Sequence, residues 1–288
     1  MEYFTPSTTA ELKKLLKKIK TVRAGLLVTS HPRPYLLAGG TDLLVKLRHK
    51  TINPSFVIDI KNIKGINSIT DNKKHITIGA GVTLNQIAEN PLIQKNYPAL
   101  ADGAKNVGSY QIRNRATLAG NICNSSPAAD TIPALLIYDA KINIISGSGK
   151  RTISIHKFFT GPGKNILKQN ECVESITIPI TKNKSVFYKF SRRRAVDLST
   201  VCLAAGIFGE GKKQEIRTAV GACAAITARA VKSENHLNKK GLNEAAIKEA
   251  ANLLPLKPIS DLRGSADFRC KIAKQLFIKA IEELNKIK

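Results

Sequence analysis

The stretch Ala116-Thr117-Leu118-Ala119-Gly120-Asn121-Ile122-Cys123-Asn124-Ser125-Ser126-Pro127-Ala128-Ala129-Asp130 decides how this chain is read. Three hydroxyls, two amides and one carboxylate sit among small apolar residues, without one basic side chain. The rest of the chain is strongly basic, with 46 Lys and Arg against 21 Asp and Glu and a formal charge of +25. Small residues let a backbone approach a ligand closely, and Gly120 is expected to add freedom in φ. Thr117, Asn121, Ser125 and Ser126 supply neutral donors, and Asp130 supplies an acceptor. That inventory suits a large, polyhydroxylated, phosphorylated ligand such as a dinucleotide.

Upstream, Tyr35-Leu36-Leu37-Ala38 reads as a short buried strand, followed by Gly39-Gly40. Thr41-Asp42-Leu43-Leu44-Val45-Lys46-Leu47-Arg48 then reads as a helix start with apolar positions 43, 44 and 47, and Thr41 is placed to cap it. A strand, two glycines and a helix N-terminus form an anion site, because unpaired N–H groups point outward and the helix dipole favours negative charge. The same pattern also describes an ordinary tight turn. Gly39-Gly40 lacks the G-x-G-x-x-G spacing of a Rossmann unit. Gly147-Ser148-Gly149-Lys150 lies between two strand-like runs and reads as a hairpin turn, not a phosphate loop.

A chain of 288 residues with 43% hydrophobic residues is long enough for two cores. No run of eighteen apolar residues suggests a membrane span, and Met1-Glu2-Tyr3-Phe4-Thr5-Pro6 does not read as a secretory signal. The charge admits nucleic acid, an anionic membrane or an acidic protein partner. Aromatics are only 5%, which argues against a base-stacking platform, so no nucleic-acid or membrane partner is expected. Lysines on solvated faces and an acidic partner subunit both remain open. The cysteines at 123, 172, 202, 223 and 270 are widely spaced, which disfavours a local zinc or iron–sulfur site and favours reduced thiols in a cytoplasmic protein. His31, His49, His75, His156 and His236 are dispersed and lack metal-ligand spacing. No metal site is expected.

Leucines at 12, 15 and 16 with Ile19 form a helical stripe, read as a surface helix docked on a core in preference to a membrane-lying one. Strands are expected at 56–60, 66–70, 75–79, 141–145 and 173–178, and helices at 84–89, 97–105 and from 131. Thr181-Lys182-Asn183-Lys184 is a polar connector. Beyond it come strands at 185–190, 200–208 and 214–222, then helices at 243–253 and 268–286. Strands followed by helices make this unit α+β.

The two glycine-bearing stretches resemble the first and second flavin loops of the FAD-binding medium subunits of molybdenum hydroxylases, the family of the xanthine dehydrogenase and carbon monoxide dehydrogenase medium subunits. Gln111-Ile112-Arg113-Asn114, Ser191-Arg192-Arg193, Gly221-Ala222-Cys223-Ala224 and Asp261-Leu262-Arg263-Gly264-Ser265-Ala266 extend the resemblance in order along nearly the whole chain. It implies an α+β fold of the PCMH/vanillyl-alcohol-oxidase type. An FAD-binding domain of two subdomains would occupy 1–180, split near residue 60, and a smaller α+β domain 185–288.

The resemblance further implies FAD as cofactor. Leu36, Leu37, Ala38, Gly39, Gly40, Thr41, Asp42 and Leu43 would form the pyrophosphate cradle. Ala116, Thr117, Gly120, Asn121, Cys123 and Ala129 would meet the phosphates and ribityl chain from the other subdomain. Asp130 would face hydroxyls or the adenine amine; capping the following helix is its other reading. Val107, Val173, Tyr188 and Lys189 fall where relatives contact or flank the flavin ring. Tyr188 is equally readable as a core aromatic, and Lys189 as a positive charge near the reduced ring. Strand alternation sends those two to opposite faces, so only one can touch the ring. Ser191-Arg192-Arg193-Arg194 reads as a solvated run, a phosphate contact or a contact to an acidic subunit. The implied function is an electron relay: electrons from a 2Fe–2S small subunit pass through FAD to NAD or another acceptor, while a molybdopterin-binding large subunit oxidises the substrate. A self-contained FAD oxidoreductase on the same fold is the alternative; no residue is assigned a catalytic acid–base role.

Overall fold

The structure is a computed structural model and describes residues 1–22 and 35–286; His31 lies outside them, as does the side chain of Ile19. The first lobe runs β1 (Glu2–Phe4), α1 (Thr9–Val22), β2 (Tyr35–Leu37), α2 (Leu43–Arg48) and β3 (Phe56–Asp59). Its strands form a parallel sheet in the order β1-β3-β2. Helix α1 starts where Thr8 Oγ1 accepts from the Glu11 N–H and the Glu11 carboxylate accepts from the Ser7 N–H. Leu12 and Leu16 are buried in the first core, so the stripe docks on protein. Helix α2 departs from expectation. Asp42, not Thr41, occupies its N-cap position and makes no side-chain cap bond. No residue of α2 is buried, and Leu44 and Val45 face outward.

The second lobe comprises β4 (Ile69–Asp71), β5 (His75–Gly79), α3 (Leu84–Glu89), α4 (Pro91–Asn96), α5 (Pro98–Lys105), α6 (Tyr110–Arg113), α7 (Leu118–Asn124), α8 (Thr131–Ile137), β6 (Lys141–Ser146), β7 (Gly149–Ser154), β8 (Phe159–Gly161), β9 (Lys164–Asn165) and β10 (Glu171–Pro179). Five strands form a sheet in the order β4-β5-β10-β6-β7, and β8 and β9 make a separate hairpin. Residues 147–148 close the β6–β7 hairpin, as the turn reading expects. The stretch 116–130 is not a plain loop, because it contains α7. Thr117 caps that helix by accepting from the Gly120 N–H at 3.0 Å. Gly120 is helical, so its freedom in φ is not used there. The left-handed residue is instead Ser125 (φ 53°), at the C-cap. All seven residues of α8 are buried, which makes it the central helix of the molecule.

The remaining elements are β11 (Asn183–Phe190), β12 (Val201–Phe208), β13 (Glu215–Gly221), β14 (Ala228–Arg229), α9 (Val231–Lys240), α10 (Glu244–Ala251) and α11 (Ala266–Lys286). The strands form an antiparallel sheet in sequence order. Strand β12 explains its own unbroken apolar sequence. Val201, Leu203 and Ala205 join the core under the three last helices, while Cys202, Ala204 and Phe208 join the core of the first two lobes. Side chains alternate across a strand, so covering both faces demands apolar residues at nearly every position. Tyr97, Tyr138 and Phe208 continue the contact as edge-to-face rings with centroids 5.1 and 5.7 Å apart. The Tyr138 hydroxyl also shares a hydrogen bond with Ser185.

Candidate flavin site

The two glycine-bearing stretches are far apart in sequence but touch in space. A Cβ placed on Gly39 would lie 2.0 Å from the Arg115 carbonyl oxygen and 2.9 Å from Ala116 Cα. That is backbone against backbone, so only glycine fits. Gly40 follows with φ +79°, the left-handed region that a β-branched residue adopts at high cost. Asn124 Nδ2 donates to Asp42 Oδ1 at 3.2 Å, and Lys46 Nζ donates to Asn124 Oδ1 at 3.4 Å. The start of the second stretch is held from the other side. Thr83 bridges to Thr117, the Leu84 N–H donates to the Ala116 carbonyl at 2.8 Å, and the Leu118 N–H to that of Val82 at 3.2 Å. Thr83 and Gln86 form a reciprocal capping box at this point, so the cap of α3 also sets the position of α7.

Between the lobes runs a cleft of about 320 Å³. Of the residues expected to hold cofactor, Leu36, Ala38, Gly120, Cys123 and Val173 line it. Gly120 is exposed there, and a Cβ on it would meet only its own cap, Thr117 Oγ1, at 3.0 Å. The wall is therefore small and smooth where a flat or extended ligand must approach. Burial pushes the Cys123 thiol up to about 12, so it stays protonated and acts as an apolar wall. Asn121 turns inward and accepts from the Thr131 hydroxyl at 2.6 Å, tying α7 to α8. Leu37, Ala116 and Ala129 are buried and support the loops from behind.

Sequence reasoning missed one wall of the cleft, formed by Asn165, Lys168, Gln169, Glu171 and Cys172. The β8–β9 hairpin brings it in. The Gly163 N–H donates to the Ser125 carbonyl at 2.9 Å, and Asn165 Nδ2 donates to the Cys123 carbonyl (2.9 Å) and Ser125 Oγ (3.0 Å). The signal was present in Gly161-Pro162-Gly163, a turn sequence whose Gly163 adopts φ +66°. Glu171 is fixed in that wall, with Arg151 Nε and Nη2 and the Lys168 N–H all donating to it at 2.8 Å. The Arg151 hydrogen bonds are the largest influence and hold its carboxyl below the usual range, against the opposing effect of burial. A depressed folded-state value contributes stability above the unfolded value of roughly 4.3 and loses it as pH falls through the folded one. Glu171→Gln should therefore melt lower than wild type at pH 7, with the gap closing below about pH 4. Thermal melts of both proteins across pH check this, and a gap that does not narrow as pH falls would refute it.

Asp130 does not cap α8, since it makes no side-chain cap bond. Its buried carboxylate accepts from Lys189 Nζ at 2.8 Å and from the Ser199 hydroxyl. Burial pushes the carboxyl up, and Lys189 and Ser199 pull against it. Lys189 also donates to the carbonyls of Asn106 and Asp197, both at 2.9 Å. The pair thus clasps the second stretch to β11. Val107 lies beside this clasp, half-buried, with its carbonyl accepting from Arg113, and does not line the cleft. Tyr188 sits on the opposite face of β11. Its hydroxyl bonds Glu283 of α11, and Lys279 lies 4.6 Å from its ring centroid. Strand alternation thus sends Tyr188 toward α11 and Lys189 toward Asp130, and neither side chain lines the cleft.

Paired glycine-lined loops, a cleft between two α+β lobes and a third sheet closing against them define an FAD-binding oxidoreductase subunit. Residues 1–181 match the FAD-binding domain of molybdopterin dehydrogenases, and residues 186–284 match the C-terminal domain of the CO dehydrogenase flavoprotein; the chain belongs to this family and has FAD as its cofactor. It is 34% identical over 264 residues to the xanthine dehydrogenase FAD-binding subunit of Escherichia coli O157:H7, covering 89% of this chain and 90% of that one. Its fold is similar to a chain of carbon monoxide dehydrogenase from Hydrogenophaga pseudoflava, with a TM-score of 0.89, 28% identity and 98% and 96% of the two chains covered. It is also similar to a chain of quinoline 2-oxidoreductase from Pseudomonas putida 86, with a TM-score of 0.88, 26% identity and 99% and 96% covered. Among the described residues, no helix is long and apolar enough to cross a membrane.

Proposed function

We propose that this chain is the flavin relay of a cytoplasmic, multi-subunit molybdenum hydroxylase. It would take electrons from a 2Fe–2S small subunit and pass them to NAD or another acceptor, while a molybdopterin-binding large subunit oxidises the substrate. The observation that carries the reading is the contact of Gly39 with the Arg115–Ala116 backbone, which makes one cleft out of two loops in a chain of this family. Bound FAD supplies the redox chemistry, taking up electrons singly or in pairs. The residues of the chain bind and orient it. The main-chain N–H groups around Gly40 and Thr41 would hold the phosphates, the bare face of Gly120 would let the cofactor approach, and Val173 and Cys123 would exclude water. Lys189 and Asp130 hold the loop on the C-terminal side. The division of labour follows 1–180 for the FAD lobes, split near residue 60, and 185–288 for the closing domain.

The cleft wall argues for a relay over a self-contained oxidase. Its one carboxylate among the lining residues, Glu171, is held ionised by Arg151 and is not free to move a substrate proton. The isolated chain should therefore carry a yellow flavin band that dithionite bleaches. Purines, aldehydes and aromatic acids should leave it oxidised until the partner subunits are added. Stopped-flow absorbance of the purified chain tests this, and direct bleaching by any such substrate would replace the relay with the self-contained enzyme.

A further inference from the structure

The C-terminal domain grips helix α8 at both ends. At its start stands the clasp of Asp130 with Lys189 and Ser199. The second grip, at its end, uses none of the residues expected to hold cofactor. The chain leaves α8 through Asp139, a half-buried residue at φ +52°, in the left-handed region that Asp and Asn enter more readily than other side chains. Two arginines of the C-terminal domain converge on it. Arg217 Nη1 of β13 lies 2.7 Å from Asp139 Oδ2 and donates to the Ile137 carbonyl at 3.1 Å. Arg229 Nη1 of β14 donates to Asp139 Oδ1 at 3.3 Å and to the Leu136 carbonyl at 3.4 Å. Each arginine is itself fixed. Arg217 donates to Glu215 and places its Cζ 4.5 Å from the Phe208 ring centroid. Arg229 Nε and Nη2 donate to the buried Glu234 carboxylate at 2.6 and 2.8 Å. From the second lobe, His156 Nε2 shares a hydrogen bond with Asp139 Oδ1 at 2.7 Å.

We propose that Asp139 is a positioning residue for the flavin site: with Asp130 it fixes the register of the C-terminal domain on α8, and releasing it lets the domain pivot and loosens the cofactor. The proposal rests on FAD as cofactor, not on which donor or acceptor the flavin serves. Much of the remaining contact between the domains is apolar, through Cys202, Ala204, Phe208 and Ala219. Apolar burial is non-directional and tolerates sliding, whereas charges with fixed partners hold one register. One grip leaves a rotation free; two grips at opposite ends of a helix remove it. Asp130 and Asp139 are nine residues apart, roughly 13 Å at helical rise. With Asp139 released, rotation about the first grip would turn β11, which carries Lys189, against the second glycine-bearing stretch.

The test compares the full FAD-loaded chain with Asp139→Asn, Arg217→Met and Ile281→Val. Asparagine accepts the left-handed backbone and removes the charge. Arg217→Met leaves Arg229 and His156 on the carboxylate, so it keeps the proposal testable if Asp139→Asn does not fold. Ile281→Val, in the core under the last helices, controls for lost stability alone. Two quantities are read: the rate of FAD release, from flavin fluorescence after dilution, and amide exchange at Ala222. The Ala222 N–H donates across the domains to the Pro127 carbonyl at 2.7 Å, so its exchange reports opening of the interface with or without FAD. In Asp139→Asn and Arg217→Met, both rates should rise by about fivefold, while Ile281→Val should melt lower with neither rate changed. Lower melting with wild-type release and exchange in both variants would make Asp139 a stability residue only and overturn the proposal. Faster exchange with wild-type FAD release would show that the register does not reach the cofactor, and would overturn it too. Neither readout involves a partner subunit or an electron acceptor, so the relay reading stands or falls separately.

Discussion

Gly39→Val is expected to abolish FAD retention. The first added carbon would stand 2.0 Å from the Arg115 carbonyl oxygen and 2.7 Å from its carbon, and neither is a side chain that can swing aside. The clash is relieved only by separating the first lobe from α7, which opens the cleft that both loops build. Gly40→Val should act in the same direction for a different reason. Its φ of +79° is costly for a β-branched residue, and its Cβ would press on Leu37 and Leu44 at 3.0 Å. The ratio of flavin to protein in the purified variants, read from absorbance, checks both. One FAD per chain in Gly39→Val would mean that the loop contact is not what holds the cofactor. Gly120→Ala is the informative companion, because its Cβ meets only Thr117 Oγ1. It should fold normally and lose FAD affinity modestly.

Lys189→Met should destabilise the chain by about 3–5 kcal/mol, the usual scale for stranding one charge of a buried pair. The side chains of Asp130 and Lys189 are 5% and 9% exposed, so water cannot replace the lost partner. Asp130→Asn in the same chain removes the stranded charge, and the double variant should recover most of the loss. Denaturant unfolding of the four proteins forms the cycle. Additive losses would show that the two residues are not coupled. FAD affinity separates positioning from packing. A clasp that sets the second loop predicts weaker FAD binding in the double variant even after its stability returns.

Much of this was legible before any tertiary contact was known. Strand β12 was readable because burial on two faces removes polar positions altogether, and the β6–β7 turn because glycine and serine between alternating strands have few other uses. The order of the motifs along the chain pointed to the family, and the family implied FAD. Other readings went astray where local chemistry was ambiguous. Thr41 was read as the cap of α2, yet Asp42 holds the N-cap position without a side-chain bond, and Leu44 and Val45 point outward, since helical periodicity does not say which side meets a core. The second stretch was named a loop through its resemblance to a flavin loop, but Thr117 supplies a cap and seven residues then close a helix.

What the chain determined by itself was the kind of ligand and the alternation that parts Tyr188 from Lys189. A period of two is a local property of extended backbone and needs no neighbours. Only the tertiary structure decided what those side chains meet. Asp130 and Lys189 are 59 residues apart, and Gly39 and Arg115 are 76 residues apart. Their pairing is set by how the lobes pack, with α8 lying against β12 and β13. A carboxylate taken from water must find a charge or a donor, but burial demands that without saying which. The packing of α8 against β12 brought Lys189 and Ser199 to it. That choice belongs to the fold, because no spacing along the chain encodes it.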